Sequence, residues 1–346
     1  MPRDEGEFTQ AKIQGLLDAY RLYDRSVDVV SAYQWLFSDP SSATLPPTVA
    51  HFERFPNLAG PDGKKATPDF TILFKDGTGI AAEIANIALH DNSVDKLCRQ
   101  LDRYSRLDRL PSGPTTTSPV SVCDVLYLSP FDLAPSAAKR VYADRLDAAG
   151  HAFKPPRRPV LVAFSQQPDR YTFTFWPFPA NGALHKDNGR HPNYGDWDEA
   201  LNIKPHMFQG VKVTQPFVND PIPPLYLATR LWASVFPSLA GGRGTVFTAG
   251  TRTIADHLRT MYGRCTVDDV ESAMGILYAA RLTTRDKTGT WHVKRVGLRA
   301  ADTHQEIADR LLPKLETATI APQKPRRRPA GTQPLPGQTS LFDDLP

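Results

Sequence analysis
Helical and strand periodicities alternate along the first 180 residues, and that alternation predicts an α/β fold built on a mixed sheet. Beyond residue 225 the pattern changes to short helices followed by a hairpin. Beyond residue 318 apolar residues give way to Pro, Gly and Arg. The chain therefore divides into an α/β unit (1–180), a connector (181–224), a helical unit with a hairpin (225–318) and a tail (319–346).

Residues 8–37 carry Ile13, Leu16, Leu17, Tyr20, Tyr23, Val27, Val30 and Tyr33 at helical spacing, and Pro40, Pro46 and Pro47 close the helix. Residues 49–55 read as a strand. Pro68-Asp69 then opens the apolar run 70–74, a polar turn occupies 75–79, and a second apolar run covers 80–87, which is a hairpin pattern. Asn92 or Ser93 caps a helix over 94–107 whose apolar stripe is Val94, Leu97, Cys98, Leu101 and Tyr104. Residues 111–119 are rich in Pro, Ser and Thr and read as a loop. Strands follow at 121–128, 159–164 and 171–178, with a helix at 136–149 ended by Gly150. Residues 180–224 give no clear assignment. Helices are predicted at 225–236, at 253–262 ending at Gly263, and at 267–280 capped by Thr266. A hairpin over 282–296 and a last helix over 303–318 complete the pattern.

The chemistry centres on Asp69 and Glu83. A tight hairpin turning near Asp76 sets them opposite each other on one face of the sheet, with Cα atoms roughly 4.5–5.5 Å apart. Glu83 sits among Ala81, Ala82, Ile84 and Ala85, a buried-strand setting in which a lone carboxylate is costly. A divalent cation held between the two acids relieves both, and Mg²⁺ (or Mn²⁺) suits an all-oxygen site. Downstream, Lys96, Gln100 and Tyr104 follow at i, i+4 and i+8 and share one helix face.

An acid, a hairpin, a second acid and a Gln-x-x-x-Tyr helix resemble the PD-(D/E)XK nuclease superfamily, in its RecB/λ-exonuclease-like branch. The resemblance covers roughly residues 8–178 and implies a restriction-endonuclease-like core. It also implies Asp69 and Glu83 as Mg²⁺ ligands, Gln100 and Tyr104 as residues that position DNA, and a supporting acid on the first helix (Asp18 or Asp24). The family's lysine, two positions after the second acid, is Ala85 here. Lys96 is the candidate replacement, reaching the site from the helix as in some family members. The alternative is a nuclease-fold protein that binds DNA without cutting it.

Three helices and a hairpin after residue 225 resemble a winged-helix domain. Its wing carries Arg285, Lys287, Lys294 and Arg295 for phosphate contact. The third helix opens with Asp268, Asp269 and Glu271, which suit its dipole and not a DNA groove. A further alternative is thus a winged-helix adaptor or regulator. The tail is expected to be disordered. Its end, Gln338-Thr339-Ser340-Leu341-Phe342, is similar to the bacterial sliding-clamp-binding peptide, departing from it at Thr339. Leu341 and Phe342 would be the apolar anchors and Gln338 the polar pin.

Composition bounds the rest. A net charge of +4 over 346 residues permits nucleic-acid binding without demanding it. The apolar runs are too short to cross a bilayer, and the polar, acidic start carries no signal-like apolar stretch. Three scattered cysteines, Cys98, Cys123 and Cys265, form neither a disulfide framework nor a metal motif and suit a reducing cytoplasm. His185, Asp187, His191 and His206 lack metal-site spacing and read as loop residues. No Walker loop and no Gly-x-Ser-x-Gly elbow occurs. The expected function is DNA processing in the cytoplasm, in replication, repair or a related pathway, with DNA and the sliding clamp as partners.

Overall fold
Helix α1 (Gln10–Ser38) lies across one face of a mixed sheet, and its buried side chains, among them Tyr20, Val27, Val30 and Tyr33, form the floor of the main core. The structure is a computed structural model that describes residues 8–38, 49–60, 62–85, 91–150, 153–185, 199–241, 246–294 and 304–320, with side chains to residue 316. The strands are β1 (Val49–Arg54), β2 (Leu58–Ala59), β3 (Lys65–Ala66), β4 (Phe70–Phe74), β5 (Thr78–Ile84), β6 (Arg109–Gly113), β7 (Thr116–Pro119), β8 (Val122–Pro130), β9 (Val160–Gln166), β10 (Tyr171–Phe175) and β11 (Leu201–Ile203). The main sheet runs β1-β4-β5-β8-β9-β10-β11. Its centre, β5-β8-β9, is parallel and both flanks are antiparallel.

The two faces of the sheet bury different partners. Phe70, Ile72, Phe74, Ile80 and Ala82 face α1, where the Tyr33 ring stacks on Phe70 with centroids 5.0 Å apart. Leu73, Ala81, Val125 and Tyr127 face α2 (Asp91–Tyr104) instead. That helix presents Val94, Leu97, Cys98, Leu101 and Tyr104, the stripe its sequence predicts. Each such large apolar side chain contributes about 1.5–3 kcal/mol when buried. Behind α2 lies α3 (Ala134–Ala137), continued by a wider π-type stretch, Ala138–Leu146. Arg145 from this stretch pairs with Asp95 at 2.7 Å and Asp91 at 3.0 Å, which fixes α2 along the sheet.

Residues 111–119 and the unassigned stretch after residue 180 gain structure that the sequence does not signal. Residues 111–119, expected to be a loop, belong to a small hairpin of β6 and β7. The backbone of Gly79 passes so close to Leu110 that an added Cβ would lie 2.2 Å from its Cδ1. The unassigned stretch supplies β11 and α4 (Pro205–Thr214). α4 packs on α1 through Phe208 and through Lys212, which pairs with Asp24 at 2.9 Å and Asp28 at 2.6 Å.

The C-terminal part contains α5 (Pro224–Arg230), a π-type continuation through Val235, α6 (Phe236–Leu239), β12 (Val246–Ala249), α7 (Thr251–Tyr262), α8 (Val267–Ala279), β13 (Thr283–Arg285), β14 (Trp291–Lys294) and α9 (His304–Ile320). Gly263, at φ 75°, ends α7 in a left-handed cap. Thr266 and Asp269 form a capping box that opens α8. β12, which the sequence analysis does not identify, joins the hairpin to give a β12-β14-β13 sheet. Apolar residues of α5, α8 and α9 belong to the same continuous core as α1. All three cysteines are buried and free. No described helix is long and apolar enough to cross a membrane.

Candidate functional site
β4 and β5 pair with Phe70 opposite Ala82, Thr71 opposite Ala81 and Ile72 opposite Ile80. The pairing stops at Phe70 and Ala82, so Asp69 and Glu83 stand one residue beyond it at the same end of the hairpin. The turn that fixes it is local. Gly77, at φ 78°, donates its N–H to Phe74 O at 3.1 Å, and the Asp76 carboxylate accepts the N–H and hydroxyl of Thr78 at 3.0 and 2.6 Å.

The ladder becomes irregular at the first acid. Asp69 N–H donates to Ala82 O at 2.8 Å, and its carbonyl accepts from Phe55 N–H at 3.0 Å. Its Oδ2 accepts from Ile84 N–H at 2.7 Å. The carboxylate stands in for a strand carbonyl, and this fixes its orientation beside Glu83. Glu83 alternates with Ala82 and so shares the α2 side with Ala81 and Ala85. There the Tyr104 hydroxyl donates to Glu83 Oε2 at 3.0 Å. Gln100 lies beside that hydroxyl and acts on it. Lys96 is exposed, and its charge pulls the Glu83 carboxyl down, but among the described residues it makes no ion pair. The helix stripe thus reaches Glu83 directly at Tyr104 and only through its field at Lys96.

Two further charged groups enter from places the sequence analysis leaves out. Asp220 follows α4, and its charge acts on both Asp69 and Glu83. Its loop is held from two sides. The Tyr23 hydroxyl donates to Val218 O at 3.3 Å and accepts from Val218 N–H at 3.1 Å. Arg264 donates to the carbonyls of Val218, Asn219 and Asp220, the last at 3.1 Å. Arg54 ends β1 and donates through Nη1 to Gln215 O at 3.0 Å; burial pushes its guanidinium down to about 10, and Asp69 pulls it back up. Asp18 and Asp24, the acids considered on α1, are engaged elsewhere, with Gln14 at 2.8 Å and Lys212 at 2.9 Å.

The electrostatics follow from these positions. Burial pushes the Asp69 carboxyl up to about 7, against the Ile84 N–H bond that lowers it, while the Asp220 charge adds to the rise and Arg54 opposes it. Burial also raises Glu83 well above the carboxylate range, and the Asp69 charge adds to it. Asp69 Oδ1 and Glu83 Oε1 accept no hydrogen bond among the described residues. Two half-buried acids that oppose each other's ionisation and offer only oxygen fit a hard divalent cation. No group of three or more His, Cys, Asp and Glu side chains is arranged to hold a metal among the described residues. Asp220 therefore acts on the pair through its field.

Of the wing residues, Arg285 is committed to Glu271 and lies over the Trp291 ring at 4.7 Å. Lys287 and Lys294 are exposed, and Arg295 lies outside the described residues. Gln338, Leu341 and Phe342, with the rest of the tail, also lie outside them, as do Asp187 and His191. His185 donates its backbone N–H to Asp124 Oδ2 at 2.6 Å, and His206 is exposed on α4. No pattern in the sequence signals Asp220 or Arg54, because both reach the acids only through tertiary packing. Comparison with protein-family models, with curated proteins and with solved structures finds no match.

Proposed function
We propose that the chain is a DNA-processing protein whose sheet carries a PD-(D/E)XK-type, metal-dependent phosphodiester-hydrolysing site. The observation that supports this best is the meeting of the two halves of the motif. Asp69 and Glu83 close the same end of the β4–β5 hairpin, one residue beyond the Phe70–Ala82 pair, and the tyrosine of Gln-x-x-x-Tyr donates to Glu83 at 3.0 Å. Asp69 and Glu83 would hold Mg²⁺ or Mn²⁺, which supplies a Lewis acid for the phosphate and lowers the pKa of water. Tyr104 orients Glu83, and Gln100 beside it faces the approaching strand. Lys96 offers an exposed positive charge on the same helix face. The C-terminal helices and hairpin are read as a winged-helix domain that contacts phosphates through Lys287, Lys294 and Arg295. The pairing of Arg285 with Glu271 and the acids at the start of α8 favour sequence-independent contact. The tail peptide around Gln338, Leu341 and Phe342 is read as a ligand for the sliding clamp in the cytoplasm.

The test is cleavage of linear, nicked and branched DNA with Mg²⁺ or Mn²⁺ by the full chain and by Asp69→Asn and Glu83→Gln. Metal-dependent cutting that both substitutions abolish supports the reading; cutting unaffected by either refutes it. Ala85, where the resembling family has lysine, favours a second reading, a nuclease-shaped protein that binds DNA without cutting. DNA binding with no cleavage under any metal selects it. Loss of clamp capture on deleting residues 338–346 tests the tail separately.

A further inference from the structure
Arg54 stands at the acid end of the hairpin. It pairs across β1 and β4 with Phe70, the residue after Asp69, and the next residue, Phe55, donates its N–H to Asp69 O at 3.0 Å. Nη1 is anchored on Gln215 at 3.0 Å to the carbonyl and 3.3 Å to Oε1. Nε and Nη2 are shut off from solvent and have no hydrogen-bond partner among the described residues. An unpaired buried donor is costly, more so when it carries charge. Tyr226 and Tyr23 act on this guanidinium more strongly than Asp69, the one carboxylate whose field reaches it.

The Nε–Nη2 edge is one of the two sides on which a guanidinium binds an oxyanion by two parallel hydrogen bonds. Arg54, Asp69 and Glu83 each keep part of their surface in solvent while the Nε–Nη2 edge itself is closed, so an oxyanion reaches that edge by displacing the atoms that cover it. Lys96, by contrast, is an exposed ammonium on a flexible stem. We propose that the Nε–Nη2 edge of Arg54 receives an anionic phosphate oxygen at the Asp69–Glu83 site, in place of the lysine that is Ala85 here. The proposal rests on the phosphodiester reading for the source of that phosphate, but the anion site itself stands on the unfilled donor edge.

The experiment titrates the full chain with inorganic phosphate by calorimetry. It also titrates a labelled DNA duplex by anisotropy, with Ca²⁺ replacing Mg²⁺ so that binding is read without turnover. Arg54→Gln is expected to weaken phosphate about tenfold or more, and Lys96→Gln less than about twofold. Arg54→Lys keeps the charge but loses the fork, and about a fivefold loss is expected. It decides the question where Arg54→Gln fails to fold. Unchanged phosphate affinity in either Arg54 variant overturns the proposal. So does an equal loss in Lys96→Gln, or no phosphate binding by the unsubstituted chain. Phosphate bound through Arg54 without DNA binding or cutting retains the anion site and rejects the nuclease. Metal-dependent cutting by a chain whose Arg54 variants bind phosphate normally rejects only the role of Arg54.

Discussion

Asp24 and Asp28 on α1, and Asp69 and Glu83 on the β4–β5 hairpin, are both pairs of acids drawn in from the surface, and they differ in what neutralises them. The α1 pair has its cation built in: Lys212 reaches Asp24 at 2.9 Å and Asp28 at 2.6 Å, and the Tyr171 hydroxyl donates to Asp28 at 2.7 Å. The hairpin pair has none within ion-pairing distance among the described residues. After burial, the largest influence on Asp28 is the opposing charge of Lys212, while the largest on Glu83 is the like charge of Asp69. A buried acid pair supplied with a lysine and a tyrosine needs nothing from outside to fold. A pair that repels, held in place by Ile84 N–H and Tyr104 OH, keeps a repulsion that an added cation would relieve.

The difference sharpens most when each pair is broken. Replacing Asp69 by Asn or Glu83 by Gln keeps the acceptors for Ile84 N–H and Tyr104 OH. Each is expected to lower metal-dependent cleavage on the order of a thousandfold, read in a gel assay, while leaving stability equal or higher. Lys212→Met should do the reverse. It strands buried Asp28 and half-buried Asp24, so urea denaturation is expected to show a loss of about 3–5 kcal/mol. A Lys212→Met protein as stable as the parent would remove the distinction between the two pairs.

A pH series separates them next. Asp69 holds its proton in the folded chain to about pH 7 but releases it near pH 4 when unfolded. Between these values the folded state binds more protons, so stability falls as pH rises through this window. The expected fall is on the order of 3–4 kcal/mol. It should be smaller in Asp69→Asn, where burial of Glu83 still holds that carboxyl above its ordinary range, and shrink when millimolar Mg²⁺ is present. An identical pH profile for Asp69→Asn and the parent chain in EDTA would show that Asp69 is not held protonated.

The hairpin site was legible because its determinants are local. Gly77 and Asp76 set the turn, the turn sets the register, and the register brings Asp69 and Glu83 to the same end of the hairpin. The stripe from Lys96 to Tyr104 follows equally from helical spacing. Asp220 and Arg54 were not legible, since a loop acid and a strand-end arginine join the site through Tyr23, Arg264 and Gln215, residues distant in sequence. β12 was missed for a related reason: Val246–Ala249 is four residues long and becomes a strand by pairing with β14. The Lys212 pairing was equally hidden, because α4 lies in the stretch where Pro, Asn, Gly and His blur the periodicity.

The smallest expected effect tests the link between helix and hairpin. Tyr104→Phe removes one hydrogen bond to a carboxylate and little volume, so a stability cost of about 1–2 kcal/mol is expected. The hydroxyl also lowers the Glu83 carboxyl, so its loss leaves that group harder to ionise. Apparent Mg²⁺ affinity should then fall severalfold at pH 7 and recover at higher pH, where Glu83 ionises without help. A merely structural tyrosine would lower stability alike at both pH values and leave the parent's pH dependence of metal affinity unchanged. Recovery at high pH is therefore the measurement that ties Tyr104 to the ionisation of Glu83 and not only to the packing of α2 on the sheet.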